Sequence, residues 1–546
     1  MKNLFKAHPV GCVILLSSIM LLPLMMMRDF TPSNELRYLS IADEAIAEGH
    51  IFTFTNQGKP YADKPPLYFW MIMLCRTIFG RHSIFVLSLL SLVPAFIILT
   101  VMDKWLKLAA KRHSLPAYSA VTRAASALMM MTTALFLGMS IFLRMDMMMC
   151  MFIVLALYTF YRMYTGEGSA RRDSYLMPLF IFLALFTKGP VGLLVPPVTI
   201  LVFLLMNGKL HEADRYLGLK TWGTIALLCT VWFAGVYIEG GKEYLDNLLF
   251  HQTVDRAVNA FHHKEPFWYY FLTIWYVTAP YSIVLIPAMA ASFFIGRKDG
   301  RQVTDTELLF ASAAISTMAM LSCFSSKLAI YLAPIFPFLV YMFPLVKSRC
   351  GWNRYFSAGF ALPAAIFAAA GLAALVLIPL SSSVTQLAPI REYAFARSAA
   401  AYIAAAMIAA GGISSLVCLF RTKSWQYAAI ALSLSMLTAV FSASFTLPLA
   451  NDYIGYGNLC HIIKENTGTE ETAVMTLFVN RPENMDVYLG HDIIDYGKDP
   501  DAFLESAPAG GLVIATTERI AGNPELEAFL KGKDLAQCGP YTIYQL

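Results

Sequence analysis

Charge is scarce in this chain. Asp, Glu, Lys and Arg make up 14% of its 546 residues, against roughly a quarter in a soluble domain, and that deficit excludes a solvated globular protein. The cysteines offer no metal module either. All nine are scattered without a CxxC pair, and most lie in or beside apolar stretches, where a thiol behaves as a small hydrophobe. Cys460 and Cys538 flank the polar C-terminal region, so a disulfide between them is open if that region meets an oxidising compartment. A small-x-small cleavage site is also missing after the basic and then apolar stretch Lys2 to Met27, which therefore reads as a retained span.

Hydrophobic residues stand in place of the charge, at 58% of the chain. They fall in blocks of about twenty, the length a helix needs to cross a hydrocarbon layer of about 30 Å. The blocks predict thirteen spans, near 9–27, 84–102, 121–142, 147–164, 174–187, 190–206, 221–239, 268–294, 307–324, 329–346, 354–380, 398–420 and 427–448. Pro65 to Phe79 is short and spoils the alternation if counted, so it reads as an interfacial or partly inserted helix. The basic stretches Lys104–Arg112, Arg171–Arg172, Lys209–Lys220, Arg297–Arg301, Lys347–Arg354 and Arg421–Lys423 then fall on alternate connections, all on one side. By the positive-inside rule that side is cytoplasmic. A bacterial inner-membrane protein follows, with its N-terminus in the cytoplasm and its C-terminal region periplasmic. The net charge of +5 is accounted for by these loops and points to no nucleic acid.

The expected fold is thus an α-helical polytopic membrane domain, 1–450, with about thirteen transmembrane helices, followed by a small α/β periplasmic domain, 451–546. In that second part, strand-like runs at Ala473–Phe478, Gly511–Ala515 and Tyr541–Tyr544 alternate with helical stretches near Ile454–Lys464 and Glu525–Leu530. No catalytic motif appears there, so it reads as a cap or an acceptor-positioning module. The outer face collects the long loops, of which 28–83 and 240–267 hold most of the ionisable residues.

Ionisable groups at span ends are costly to place and point to function. The outer face gathers Asn34, Glu35, Arg37 and Tyr38; Tyr61, Asp63 and Lys64 before two prolines; Arg144 and Asp146 between two spans; Lys188 at a Gly-Pro turn; His251, Arg256, His262 and His263; and Lys327 and Tyr331. Carboxylates ringed by Lys and Arg at a membrane surface suit a lipid-borne phosphate as leaving group. The cations stabilise the charge that grows on it, and a carboxylate can accept the proton of an attacking hydroxyl.

On these residues the chain resembles the GT-C glycosyltransferases of the protein O-mannosyltransferase and lipid A aminoarabinose transferase group. The likeness rests on Glu35, Arg37 and Tyr38, Tyr61 with Lys64-Pro65-Pro66-Leu67, Arg144-x-Asp146, Lys188-Gly189, Pro266 to Tyr270, and Lys327 with Tyr331 and Pro334. It implies inverting transfer from an undecaprenyl-phosphate sugar, with an acid in the first loop as general base. The family shows Asp-Glu there and this chain has Asn34-Glu35. Asn34 can bond a substrate hydroxyl but cannot take its proton. Either Glu35 or Asp146 then acts as base, or activity is altered or lost. Arg37, Tyr38, Tyr61, Lys64, Arg144, Lys188, Arg256, Lys327 and Tyr331 are left to hold the donor and its phosphate. His251 with Asp63 matches a divalent-ion site of some relatives, although two ligands fall short of the four of a structural zinc site; no cofactor is otherwise expected.

The relatives whose thirteen-span layout this chain resembles modify lipid A, so the resemblance implies a glycolipid acceptor such as lipid A. Transfer to Ser or Thr of a secreted protein is the alternative within the same chemistry, and a flippase for lipid-linked sugar is the alternative outside it. The flippase reading expects related halves with broken helices and mid-membrane charges, which the sequence does not display. The aromatic run Phe267–Tyr270 reads as an interfacial belt, and the Met-rich runs Met129–Met131 and Met145–Met151 as apolar packing.

Overall fold

The computed structural model of the chain describes residues 2–113, 118–249, 264–294, 303–349, 353–387, 392–467, 472–491 and 493–546. It is a multi-pass helical bundle with a small sheet at its C-terminal end. Among the described residues nine helices are long and apolar enough to cross a membrane, and ten if the pair Ala120–Met131 and Ala134–Ile141, bent by 71°, is one span. Each of the thirteen predicted stretches is mainly helical. Those that fall short of a simple span do so for visible reasons. Pro190–Met206 is short. Tyr269–Val277 and Ser282–Phe294 are separated at Thr278–Tyr281, where Pro280 has no amide to donate. The stretch from Ala329 opens as a tighter helix, Ala329–Ile335, before Phe336–Arg349 continues it. Leu67–Phe79 is a 13-residue helix, too short to cross, as expected of an interfacial element.

Local sequence sets the helix ends nearest the first loop. Pro9 opens the helix Pro9–Met27 and Arg28, in extended conformation, closes it. Met145–Thr165 follows an extended Arg144, carries Asp146 in its first turn and stops at Gly166, whose φ is 73°. A carboxylate there complements the helix dipole. Ala170–Lys188 is capped by Ser169, whose side chain accepts from the Arg172 amide, and it breaks at Gly189, φ 109°, directly before Pro190. That turn places a lysine at the C-terminal end of one helix beside the N-terminal end of the other.

Aromatic rings and small residues hold the bundle together. Trp105 is fully buried, with ring centroids 5.3 Å from Tyr158, 5.4 Å from Tyr161, 5.0 Å from Phe310 and 6.1 Å from Phe338, so one side chain joins four helical segments. Asn353–Leu380 and Ala399–Thr422 instead approach backbone to backbone. A Cβ at Gly412 would lie 2.4 Å from the Ala368 nitrogen, and one at Gly371 would lie 2.4 Å from the Ala409 nitrogen. Such close approach is how helices gain dispersion contact where lipid removes the hydrophobic drive.

The C-terminal sheet has the order Ile494–Asp495, Val474–Leu477, Leu512–Thr516, Tyr541–Gln545, Asp534–Cys538; the first three run parallel and the last two pair antiparallel. The three predicted strands are its centre. The Cys460–Cys538 bond left open by the sequence is not formed. Both are buried free thiols, and burial raises both, Cys538 to about 12.

Gly412→Val should clash with backbone rather than with a side chain that can swing away. We expect a loss of about 1–3 kcal/mol, read as a lower melting midpoint in detergent; an unchanged midpoint would contradict the close packing.

Candidate active site

The first loop is fastened from below by an ion pair that the sequence reading did not single out. Arg28, 5% exposed, gives Nη1 to Glu35 Oε2 at 2.8 Å and Nη2 to Glu35 Oε1 at 2.9 Å; Glu35 is fully buried. The same guanidinium reaches Ser88 Oγ and the Ile141 carbonyl, both at 3.2 Å. Glu35 also accepts from the Thr31 amide at 2.9 Å, the Thr31 hydroxyl at 3.0 Å and the Leu143 amide at 2.7 Å. Ser91 Oγ donates to the Phe142 carbonyl at 2.7 Å. Loop 28–37 and the turn 141–146 are thereby one unit, although more than a hundred residues separate them.

On this unit sit the predicted side chains. Arg144 follows directly on the fastened turn, and among the described residues its guanidinium has no hydrogen-bonded or ion-paired partner. Asp146 is buried and ion-paired to Lys188, whose ammonium lies 4.7 Å from the centre of the Tyr331 ring. The charges of Lys64 and Arg144 lie close enough to bear on Lys188. Lys64 pairs with Asp63 at 3.0 Å, and the Tyr61 hydroxyl donates to the same Asp63 oxygen at 3.2 Å. Arg37 lies against the rings of Tyr38 and Tyr61, 5.8 and 5.9 Å from their centres, and donates to Asn34 Oδ1 at 3.3 Å. Tyr38 is itself buried, edge-on to Tyr68 and Phe69. Asn34, Arg37, Tyr38, Tyr61, Asp63, Lys64, Arg144, Asp146, Lys188 and Tyr331 thus converge at one end of the bundle, and the concentration of positive charge there exceeds what the local carboxylates neutralise.

Two expectations change. Glu35 is not placed to act as a base: it is out of reach of solvent, and both oxygens are committed to Arg28, Thr31 and Leu143. It positions the site instead. Lys327, 4% exposed, gives two of its three hydrogens to the carbonyls of Glu265 at 2.9 Å and Phe324 at 2.6 Å, so it fastens a loop before it can meet a phosphate. Asp63 holds both the Lys64 ammonium and the Tyr61 hydroxyl on one carboxylate oxygen, Oδ2. His251 and Arg256 lie outside the described residues. No cluster of three metal-binding side chains occurs among the described residues.

The C-terminal region closes the back of the same loop, and no sequence signal announced it. Asp29 accepts from the Tyr488 hydroxyl and, at 2.6 Å, from the Gly457 amide. Asn451 bridges the Asp29 amide, 3.1 Å, and the Met27 carbonyl, 2.8 Å. Asp486, whose carboxyl is pushed up by burial, accepts from Ser40 at 2.6 Å and from Gln57 at 3.1 Å. A Cβ on Gly455 would lie 2.2 Å from Asp29. The back of loop 28–57 is therefore set by the cap and its front by the membrane helices.

Glu35→Gln should cost stability before it costs chemistry, since it leaves Arg28 buried without a counter-charge, a loss of about 3–5 kcal/mol. The expected outcome is a lower melting midpoint and yield; a variant that melts like the parent while losing turnover would restore Glu35 as the base.

Residues 63–237, which carry Asp63, Lys64, Arg144, Asp146 and Lys188, match the family described as dolichyl-phosphate-mannose-protein mannosyltransferase. An uncharacterized protein of Aquifex aeolicus is 26% identical over 311 residues, 56% of this chain and 57% of its own length. An undecaprenyl phosphate-alpha-4-amino-4-deoxy-L-arabinose arabinosyl transferase of Pseudomonas fluorescens is 24% identical over 330 residues, 59% of this chain and 55% of its own. The chain thus spans little more than half the length of these curated relatives. The crystal structure of ArnT from Cupriavidus metallidurans bound to undecaprenyl phosphate has the same fold, with a TM-score of 0.72 over 98% of both chains at 16% identity. Its apo form agrees, with a TM-score of 0.73. The matched segment, the relatives and the shared path of the chain point the same way: this chain is similar to the membrane glycosyltransferases that include the protein mannosyltransferases and the aminoarabinose transferases, and it shares the fold of ArnT.

Proposed function

We propose that this chain moves a sugar from a polyprenyl-phosphate carrier, undecaprenyl phosphate in bacteria, to a lipid A-like glycolipid at the periplasmic face of the inner membrane, with inversion at the anomeric carbon. The carrying observation is Arg144: an arginine whose guanidinium has no partner among the described residues, two residues before the Asp146 that pairs with Lys188, on a turn that Arg28 and Glu35 hold still. Cations in a preorganised position act on the charge that develops as the bond from the anomeric carbon to the carrier oxygen breaks, and its electron pair passes to the carrier phosphate. The relatives named as arabinosyl transferases support this donor class.

The scarcity of a free base favours a phosphate group on the acceptor. Asn34 takes no proton, Glu35 is fully engaged, Asp63 pairs with Lys64, and Asp146 is held by Lys188 in the first turn of its helix. A hydroxyl acceptor needs one of these to remove its proton. A phosphate, with a second pKa of about 6, brings its own anionic oxygen to the anomeric carbon. That argues for a phosphorylated glycolipid over Ser or Thr of a protein. The clustering of ionisable groups at one end, with no paired sites at mid-bundle among the described residues, argues for bond formation over transport.

The test is a membrane assay with a labelled polyprenyl-phosphate sugar. Label is expected in the glycolipid fraction, dependent on the acceptor's phosphate, and Arg144→Ala should lower the rate on the order of 10²-fold or more without lowering the melting midpoint. Label in protein, label on dephosphorylated lipid, or an active Arg144→Ala each contradicts a part of the proposal.

A further inference from the structure

The opposite end of the bundle holds a second basic site. Phe336–Arg349 leaves the neighbourhood of Lys327 and Tyr331 and runs to Lys347, while Trp425–Ser444 runs the other way, back to Asn451 and the first loop. Lys347 and the turn Lys423–Ser424 therefore lie about a helix length from Arg144, at the end with the short basic connections. There a cleft of about 280 Å³ opens between helix ends, lined by Lys347, Lys423, Ser357, Ser424, Gln426 and Trp425, with Phe356 beneath. None of these residues is acidic. Lys423, exposed and in left-handed conformation at φ 52°, ends one helix and starts the turn into the next. The floor is rigid: Trp425 stacks on Phe360 at 6.2 Å and meets Phe343 edge-on at 4.8 Å, and the Lys347 ammonium lies 5.6 Å from the centre of the Phe356 ring.

We propose that this cleft binds the phosphate of an anionic phospholipid headgroup. Two lysines supply point charges for a phosphate, and the Ser357 hydroxyl and the Gln426 amide add neutral polar groups at the rim. The volume lies below the about 300–1,000 Å³ of sites that enclose a drug-sized ligand, which suits a headgroup whose acyl chains run outside along the exposed apolar faces of Asn353–Leu380 and Ala399–Thr422. Leu362, Ile366, Ile413 and Phe420 on those helices are 45–77% exposed. Basic pockets between spans at a membrane surface recognise such lipids by charge. The site shares no residue with the proposed transferase centre and stands or falls separately from it.

The experiment titrates the detergent-purified full chain with phosphatidylglycerol, phosphatidylcholine and inorganic phosphate, counting bound lipid by native mass spectrometry. Phosphatidylglycerol should bind, and Lys347→Gln with Lys423→Gln should weaken it roughly 30-fold. Arg171→Gln with Arg172→Gln, at another basic connection, should leave binding unchanged. If the double variant fails to fold, Lys423→Glu alone, at an exposed position, should weaken binding in the same direction. Equal binding of phosphatidylcholine, displacement by millimolar inorganic phosphate, undiminished binding by the lysine variants, or an equal loss in the arginine control each overturns the proposal.

Discussion

Arg28 leaves the first span directly into a place where water does not reach, and the geometry of that end of the molecule answers its need for a counter-charge. An arginine stays ionised wherever it is placed, so burying it requires a carboxylate and further acceptors. Glu35 supplies the first, and Ser88 and the Ile141 carbonyl supply the second. Glu35 in turn has acceptor capacity that Arg28 does not fill, and the Leu143 amide takes it. A requirement for charge balance thus becomes a requirement of position: the turn that carries Arg144 and Asp146 cannot drift from the loop that carries Asn34 and Arg37.

A second constraint acts from the other side of that loop. The C-terminal region contacts it through Asp29, Asn451, Asn484 and Asp486, and the Asn484 amide reaches the Pro32 carbonyl at 2.9 Å. Loop 28–57 is therefore a layer between two rigid bodies rather than a free connection. That explains why polar side chains here can be held in position without a ligand. It also gives the cap a role that its own sequence, which lacks catalytic residues, does not reveal.

Much of the architecture is legible in the amino-acid order, because hydrophobic length and the side on which Lys and Arg fall are one-dimensional properties. The predicted stretches coincide with helical segments, and the gathering of Lys64, Arg144, Asp146 and Lys188 was read from the same alternation. What escaped was set by contacts distant in sequence. Glu35 looked like a base because Leu143 and Arg28 could not be seen around it; the hint was an arginine directly after an apolar span, where a partner is compulsory. Lys327 looked like a phosphate ligand because carbonyls carry no sequence signal. In the sheet, Asp534–Cys538 was missed because it is an edge strand with mostly exposed or half-exposed residues, and Ile494–Asp495 because two residues give no alternation. The break at Thr278–Tyr281 was marked by Pro280 all along.

On the proposed function, the pair Arg28–Glu35 holds a cationic pocket in readiness for a lipid-borne phosphate. The direct measurement is an experimental structure of the chain with undecaprenyl phosphate added. The phosphate is predicted within hydrogen-bonding distance of Arg144 and beside Lys64, with the Arg28–Glu35 pair unchanged from the ligand-free protein. A phosphate bound elsewhere, with Arg144 and Lys64 not touching it, would contradict the claim.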